Sequence, residues 1–186
     1  FGGRLEARES IDVFISVMLE GGKDLSGVRI DRCDEKDLDA IVGELEEKAK
    51  KVRSRDDASY EKSRSMFRVM PAWLTKPALR LSDFLVNELH VDAPSLGMPV
   101  DPMGSALVTN VGSFGVDTAF APFTPIGRYA MLVLVTEVRD RPVVRDGQVV
   151  ARPILRLCAT FDHRIVDGVL AGKLARSVQA AFEAQA

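Results

Sequence analysis

The chain has 186 residues, 46% of them hydrophobic and 28% charged, with a formal net charge of −2. That length supports one domain with a real core, and the near-neutral charge gives no global attraction for nucleic acid, which is not expected as a partner, or for an anionic membrane. Cys33 and Cys158 form no metal-ligand spacing, and neither a signal peptide nor a membrane-length apolar run is present, so no metal site and a reducing, cytoplasmic setting are expected.

The chain starts at Phe1 rather than at an initiator methionine and soon enters strand-like sequence. The expectation is a domain that is incomplete at its N-terminus. Residues 11–19, IDVFISVML, put Ile11, Val13, Ile15, Val17 and Leu19 on one face, with Phe14 and Met18 on the other. That period of two predicts a strand buried largely on both sides. Gly21-Gly22 ends it, and Val28 and Ile30 mark a short second strand. A helix follows, capped by Asp34 with Asp37 three residues on. Its apolar stripe is Leu38, Ile41, Val42, Leu45, Ala49 and Val52, with Glu and Lys opposite. Residues 53–61 are polar and read as a loop.

Residues 62–91 carry Met66, Phe67, Val69, Met70, Trp73 and Leu74, then Leu79, Leu81, Phe84, Leu85 and Leu89. Pro71 and Pro77 are expected to break this stretch into short helical pieces. Every charge from Lys62 to Arg80 is positive: Lys62, Arg64, Arg68, Lys76 and Arg80. Two readings stand: amphipathic helices packed on the domain or a neighbouring subunit, or a basic amphipathic surface that touches a membrane. Residues 92–104, with three prolines and two glycines, form an irregular connector.

A short strand with a glycine-bearing turn is predicted in SALVTNVGSFGV, then an extended loop in AFAPFTPIG, and a strand over 130–138. Residues 143–150 make a hairpin with Asp146-Gly147 at its tip. Ile154 to Phe161 is another strand. After Asp167-Gly168 the period changes, and Leu170, Leu174, Val178 and Phe182 define a terminal helix. The element order is mixed α/β.

Of the two histidines, His163 lies at a strand-to-helix junction within TFDHRIVDG. Side chains there project from rigid supports, and an imidazole is suited to accepting a proton from a thiol or hydroxyl near neutral pH. Asp167 stands where a carboxylate can cap the helix, and Gly168 permits a close turn. On these residues alone two readings stay open, a catalytic base or a capped helix start with a solvent-facing histidine. His90 reads as a helix-end residue.

DHRIVDG resembles the DHRxxDG motif in the catalytic domain of the dihydrolipoyl acyltransferases of 2-oxo-acid dehydrogenase complexes, and shares the HxxxDG pattern of the chloramphenicol acetyltransferases. Thr109 to Gly115, TNVGSFG, is similar to that family's S/T-N-x-G-x-F-G segment and lies upstream in the same order. Residues 11–28 resemble the family's strand–turn–strand hairpin, followed by a like helix, although Ser26-Gly27 stands where the family has a Thr-Pro segment. The resemblance covers most of residues 1–60 and 103–186.

It implies an α/β, chloramphenicol acetyltransferase-like fold with a mixed sheet and helices packed on it. On this reading 1–186 is one acyltransferase-type domain carrying an amphipathic basic insertion at about 62–102. It implies transfer of an acyl group between coenzyme A and a thiol acceptor such as dihydrolipoamide. His163 falls at the family's general base and Thr109 at its oxyanion-stabilising hydroxyl; as a bare residue, Thr109 is equally suited to a strand. Asp167 supports the histidine loop. Asp162 and Arg164 hold the turn by ion pairing, Asn110 and Gly112 shape the strand end near Thr109, and Gly168 belongs to the same turn. A homotrimer or higher homo-oligomer is implied, with histidine and hydroxyl contributed by different chains. The lipoyl group would be acyl carrier or acceptor on another protein, not on this chain. The alternative is a non-catalytic oligomeric scaffold of the same fold, in a membrane-associated form if 62–91 makes that contact.

Overall fold

Alternating apolar residues from Val13 onward form β1 (Val13–Leu19), which pairs antiparallel with β2 (Asp24–Ile30), Val13 standing opposite Ile30 and Leu19 opposite Asp24. The computed structural model describes residues 7–19, 24–54, 71–87, 102–124 and 127–184. Two compact units divide the chain, Phe1–Thr109 with Thr124–Tyr129, and Asn110–Phe123 with Ala130–Ala186. The expected turn at Gly21-Gly22, residues 55–70 of the predicted loop and insertion, His90, and residues 92–101 of the connector lie outside the described residues.

In the first unit β2 is longer than its two apolar markers suggested. The helix α1 (Leu38–Arg53) turns Ala49 and Val52 onto Val17, Leu19, Val28 and Ile30, with Ile41 and Leu45 at the margin. Full burial of such an aliphatic side chain is worth about 1.5–3 kcal/mol, so this layer is what holds the helix. Its outer face carries the ion pairs Lys36–Glu44 at 2.5 Å and Glu44–Lys48 at 2.7 Å. The helix cap is Asp37, whose carboxylate accepts from the Ala40 amide at 2.8 Å, and not Asp34 as expected. Asp34 sits in a 3₁₀ turn, Cys33–Glu35, and accepts from the Ile11 amide at 2.9 Å instead. That turn uses up the residues before the helix and delays its start by one acidic position.

Strand β3 (Ala106–Asn110) runs parallel to β1, with Val13 opposite Ala106 and Ile15 opposite Val108. The sheet is therefore mixed. A parallel neighbour needs a long crossover, and the chain from β2 to β3 supplies it. That crossover contains α2 (Ala72–Asn87), in which Pro77 lies inside a continuous helix rather than breaking it. Proline removes one amide donor, but its fixed φ is close to the helical value. Pro71 stands at the start, its carbonyl accepting from Leu74 at 2.9 Å.

In the second unit β4 (Met131–Val135) pairs antiparallel with β7 (Leu157–Phe161), Met131 facing Phe161 and Val135 facing Leu157. Leu132, Leu134 and Cys158 are buried. The hairpin is β5 (Arg139–Arg145) and β6 (Gln148–Ile154), longer than predicted, with its tip at Asp146-Gly147. Both tip residues have positive φ, 50° and 76°, which a two-residue hairpin turn of the primed type demands. The strands predicted over 130–138 and 154–161 are each cut short. Buried Thr136 leaves the ladder to take the Arg156 carbonyl with both its amide, at 3.3 Å, and its hydroxyl, at 2.7 Å. That exchange ends β4 at Val135 and separates β6 from β7. The terminal helix α3 (Gly168–Glu183) forms as its spacing predicts, and Leu174, Val178 and Phe182 line a cleft of about 510 Å³ with Leu157 and Phe161.

Candidate active site

The turn after β7 is built around Asp162. Its amide donates to the Ala130 carbonyl at 3.0 Å, and its own carbonyl accepts from Ile165 and Val166, both at 2.9 Å. The Asp162 carboxylate accepts the Arg164 amide at 3.0 Å and the guanidinium through Nε at 2.9 Å and Nη2. A side-chain bond to Arg164 is the main reason the Asp162 carboxyl is held below the usual carboxylate range. Arg164 itself points into solvent. Asp162 and Arg164 thus pair as the sequence suggested, and the side chain between them, His163, is exposed.

Four residues after His163, Asp167 caps α3, its carboxylate accepting from Leu170 at 2.8 Å and its carbonyl from Ala171 at 2.9 Å. A cap of this kind is worth about 1 kcal/mol. The histidine is therefore carried on a loop fixed at both ends, by an ion pair on one side and a helix start on the other. Among the described residues no hydrogen-bond partner is recorded for the imidazole. Gly168 departs from its expected reason: it opens α3 in an ordinary conformation, and an added Cβ would meet nothing within 4 Å. Its small size is not needed by this chain's own backbone.

Gly112 is the opposite case. In the turn after β3 the Asn110 side-chain oxygen accepts from the Gly112 amide at 2.9 Å, and Val111 donates to the Val135 carbonyl at 2.9 Å. A Cβ at Gly112 would lie 2.5 Å from the Thr136 carbonyl group and 2.7 Å from the Glu137 nitrogen. Backbone atoms cannot give way as a flexible side chain can. Gly112→Ala is expected to destabilise the fold by about 1–3 kcal/mol, whereas Gly168→Ala, in an open helical site, is expected to stabilise it by up to about 1 kcal/mol. Urea unfolding midpoints of the two variants check both signs.

Three arginines that the sequence reading passed over brace this second turn. Arg139 donates to the Gly115 carbonyl at 3.1 Å and pairs with Glu137. Arg141 pairs with Asp117, which lies 3.9 Å from Arg156, and Arg156 also donates to the Thr118 hydroxyl. The Arg141 contact is the chief cause holding the Asp117 carboxyl below its usual range. No local pattern announces partners so distant along the chain. The structure therefore gathers Asp162, His163, Arg164, Asp167 and Gly168 into one turn and Asn110 and Gly112 into another, both in the second unit. Thr109 ends the first unit, half-buried in β3.

The depressed Asp162 carboxyl carries a sign. A carboxyl lowered by folding stabilises the fold above its unfolded value, near 3.9, and loses that contribution as pH falls through the lower folded value. Asp162→Asn is expected to lower the urea midpoint at neutral pH, with the gap from wild type closing below about pH 4. Midpoints measured across that range test it, and a gap that stays constant would count against the pairing.

Residues 102–186 match the family model described as 2-oxoacid dehydrogenases acyltransferase (catalytic domain). A curated relative, the dihydrolipoyllysine-residue acetyltransferase component of the pyruvate dehydrogenase complex of Staphylococcus aureus, is 35% identical over 97 residues. That alignment covers 50% of this chain and 21% of the relative, so the chain spans about a fifth of the curated protein's length. Among solved structures, a probable dihydrolipoamide acetyltransferase from Listeria monocytogenes superposes with TM-score 0.66 at 23% identity, covering 98% of this chain and 60% of that one. The Azotobacter vinelandii dihydrolipoamide acetyltransferase, studied for the role of a serine, a histidine and an asparagine in its mechanism, superposes with TM-score 0.57 at 20% identity over 92% of this chain and 53% of that one. The fold is the one these acetyltransferases share, and in its sequence the chain resembles the catalytic domain of the 2-oxoacid dehydrogenase acyltransferases.

Proposed function

We propose that the protein is an acyltransferase that moves an acyl group between coenzyme A and a thiol acceptor such as dihydrolipoamide, with 1–186 acting as one catalytic-type domain. The observation that carries the reading is His163, exposed without a recorded partner on a turn fixed by the Asp162–Arg164 pair and the Asp167 cap. A base must be held in place yet keep its nitrogen available to an outside proton. His163 takes the proton of the attacking thiol. The thiolate adds to the thioester carbonyl, giving a tetrahedral oxyanion that the Thr109 hydroxyl stabilises as a donor. Collapse expels the second thiolate, which takes the proton back from the imidazolium.

Support for the assignment comes also from spacing. In the Azotobacter enzyme the histidine and asparagine under study stand four positions apart, downstream of the serine. His163 and Asp167 are likewise four apart, downstream of Thr109. Asp167 in this chain is a positioning residue, because its carboxylate is engaged by the helix start.

A lipoyl group serves as acyl carrier or acceptor, and the chain works as a homotrimer or higher oligomer in which Thr109 of one copy serves His163 of another. The hairpin favours assembly: Val144 and Val149 pair across β5 and β6 with 70% and 72% of their surfaces exposed, and an isolated two-stranded ribbon is only marginally stable in water. The full-length protein, given acetyl-CoA and dihydrolipoamide, is expected to release CoA. Absence of CoA release at any enzyme concentration would favour the non-catalytic scaffold.

A further inference from the structure

We propose that α2 is a membrane-surface anchor that lies in the headgroup region of an anionic bilayer. Trp73, Pro77, Leu81 and Phe84 recur at helical spacing along one side, with Leu74 beside them, and all five are exposed. Trp73 keeps 77% of its surface and Leu81 59%. The opposite side, Thr75, Ala78, Leu79, Ser82 and Leu85, is half-buried, so the helix turns its bulkiest apolar residues outward. An outward apolar stripe of this size marks an interaction surface.

Charge selects the occupant. Lys76 and Arg80 stand beside the exposed stripe, and among the described residues neither has an ion-pair partner. Asp83 is the one acidic residue of the helix, so its sequence holds two cations against one anion. In the sequence, the run from Lys62 to Arg80 holds five cations and no anion. Tryptophan, phenylalanine and leucine facing one way, with lysine and arginine at the margin, is the composition of a helix that lies in the plane of an interface. Each cation near an anionic surface adds to the attraction, which sets this surface apart from a neutral protein contact. No helix among the described residues is long and apolar enough to cross a membrane, so the contact is a surface one.

The chain's single tryptophan lies on the stripe and makes its own reporter. Whole protein is mixed with phosphatidylcholine vesicles, with or without phosphatidylserine, and followed by co-sedimentation and Trp73 emission. Binding to the serine-containing vesicles, a blue shift, and quenching by brominated acyl chains are expected. Leu81→Glu with Phe84→Glu should cut the bound fraction roughly tenfold or more; Lys76→Glu with Arg80→Glu, or added salt, should weaken it on anionic vesicles. Wild-type protein that neither sediments nor is quenched overturns the anchor, whatever the variants do. So does a Leu81/Phe84 variant that binds like wild type. Loss of oligomer size in that variant, with no lipid binding by the wild type, would assign the stripe to a protein contact and equally overturn it.

Discussion

Replacing His163 with alanine is expected to lower kcat for acyl transfer from acetyl-CoA to dihydrolipoamide by roughly 10²–10⁴-fold, the usual contribution of a general base. The fold should survive, because the side chain is exposed and no hydrogen bond is recorded for it among the described residues. What remains is an acyl transfer in which the thiol loses its proton to solvent alone. Supplying the acceptor already ionised, by raising the pH, should therefore narrow the gap between variant and wild type. CoA release measured at several pH values gives both results. Equal turnover in the two proteins at neutral pH would remove His163 from the mechanism, and a gap of the same size at every pH would leave it a merely structural role.

Thr109→Ala carries the second large effect. Loss of one donor to a developing oxyanion costs roughly 10²–10³ in kcat, or about 2.7–4 kcal/mol of transition-state stabilisation. Thr109→Ser keeps the hydroxyl and should recover most of the rate, while losing only a methyl group from a half-buried strand position. The contrast between the two variants separates chemistry from packing. If Thr109 matters only as a β-branched strand residue, serine should fare no better than alanine, and both losses should follow the unfolding midpoint rather than kcat. Rate and stability measured on the same preparations decide between them.

The His163 turn and the TNVGSFG turn were both readable in the sequence. The Asp167 cap and α3 follow from local rules: an acidic residue, then apolar residues every fourth position. The Asn110 to Gly112 contact is equally local, since an asparagine commonly bonds the amide two residues on. What could not be read was tertiary. Asp34 and Asp37 are both good caps by type, and only the approach of the Ile11 amide to Asp34 tells them apart. Likewise Ile154 to Phe161 is continuous as a hydrophobic run, and it is the claim of Thr136 on the Arg156 carbonyl that divides it. Pro77 reads as a helix breaker, yet the helix continues through it. Gly168 looked conformationally necessary and is not, whereas Gly112 is held by a backbone that arrives from another part of the chain.

The arginines that brace the TNVGSFG turn have a consequence for the order of events in synthesis. Arg139, Arg141 and Arg156 all follow that turn in the chain, the last of them bonding to Thr118 across 38 positions. While the ribosome is still making β6, Arg139 and Arg141 already exist in β5, but the Arg156 brace does not. Closing loops of that length is an entropic cost met only when the far partner exists. The segment that carries the proposed oxyanion machinery therefore sets late, after the hairpin has emerged and folded back. A chain stopped before Arg156 would hold the complete motif while lacking the longest-range of its braces.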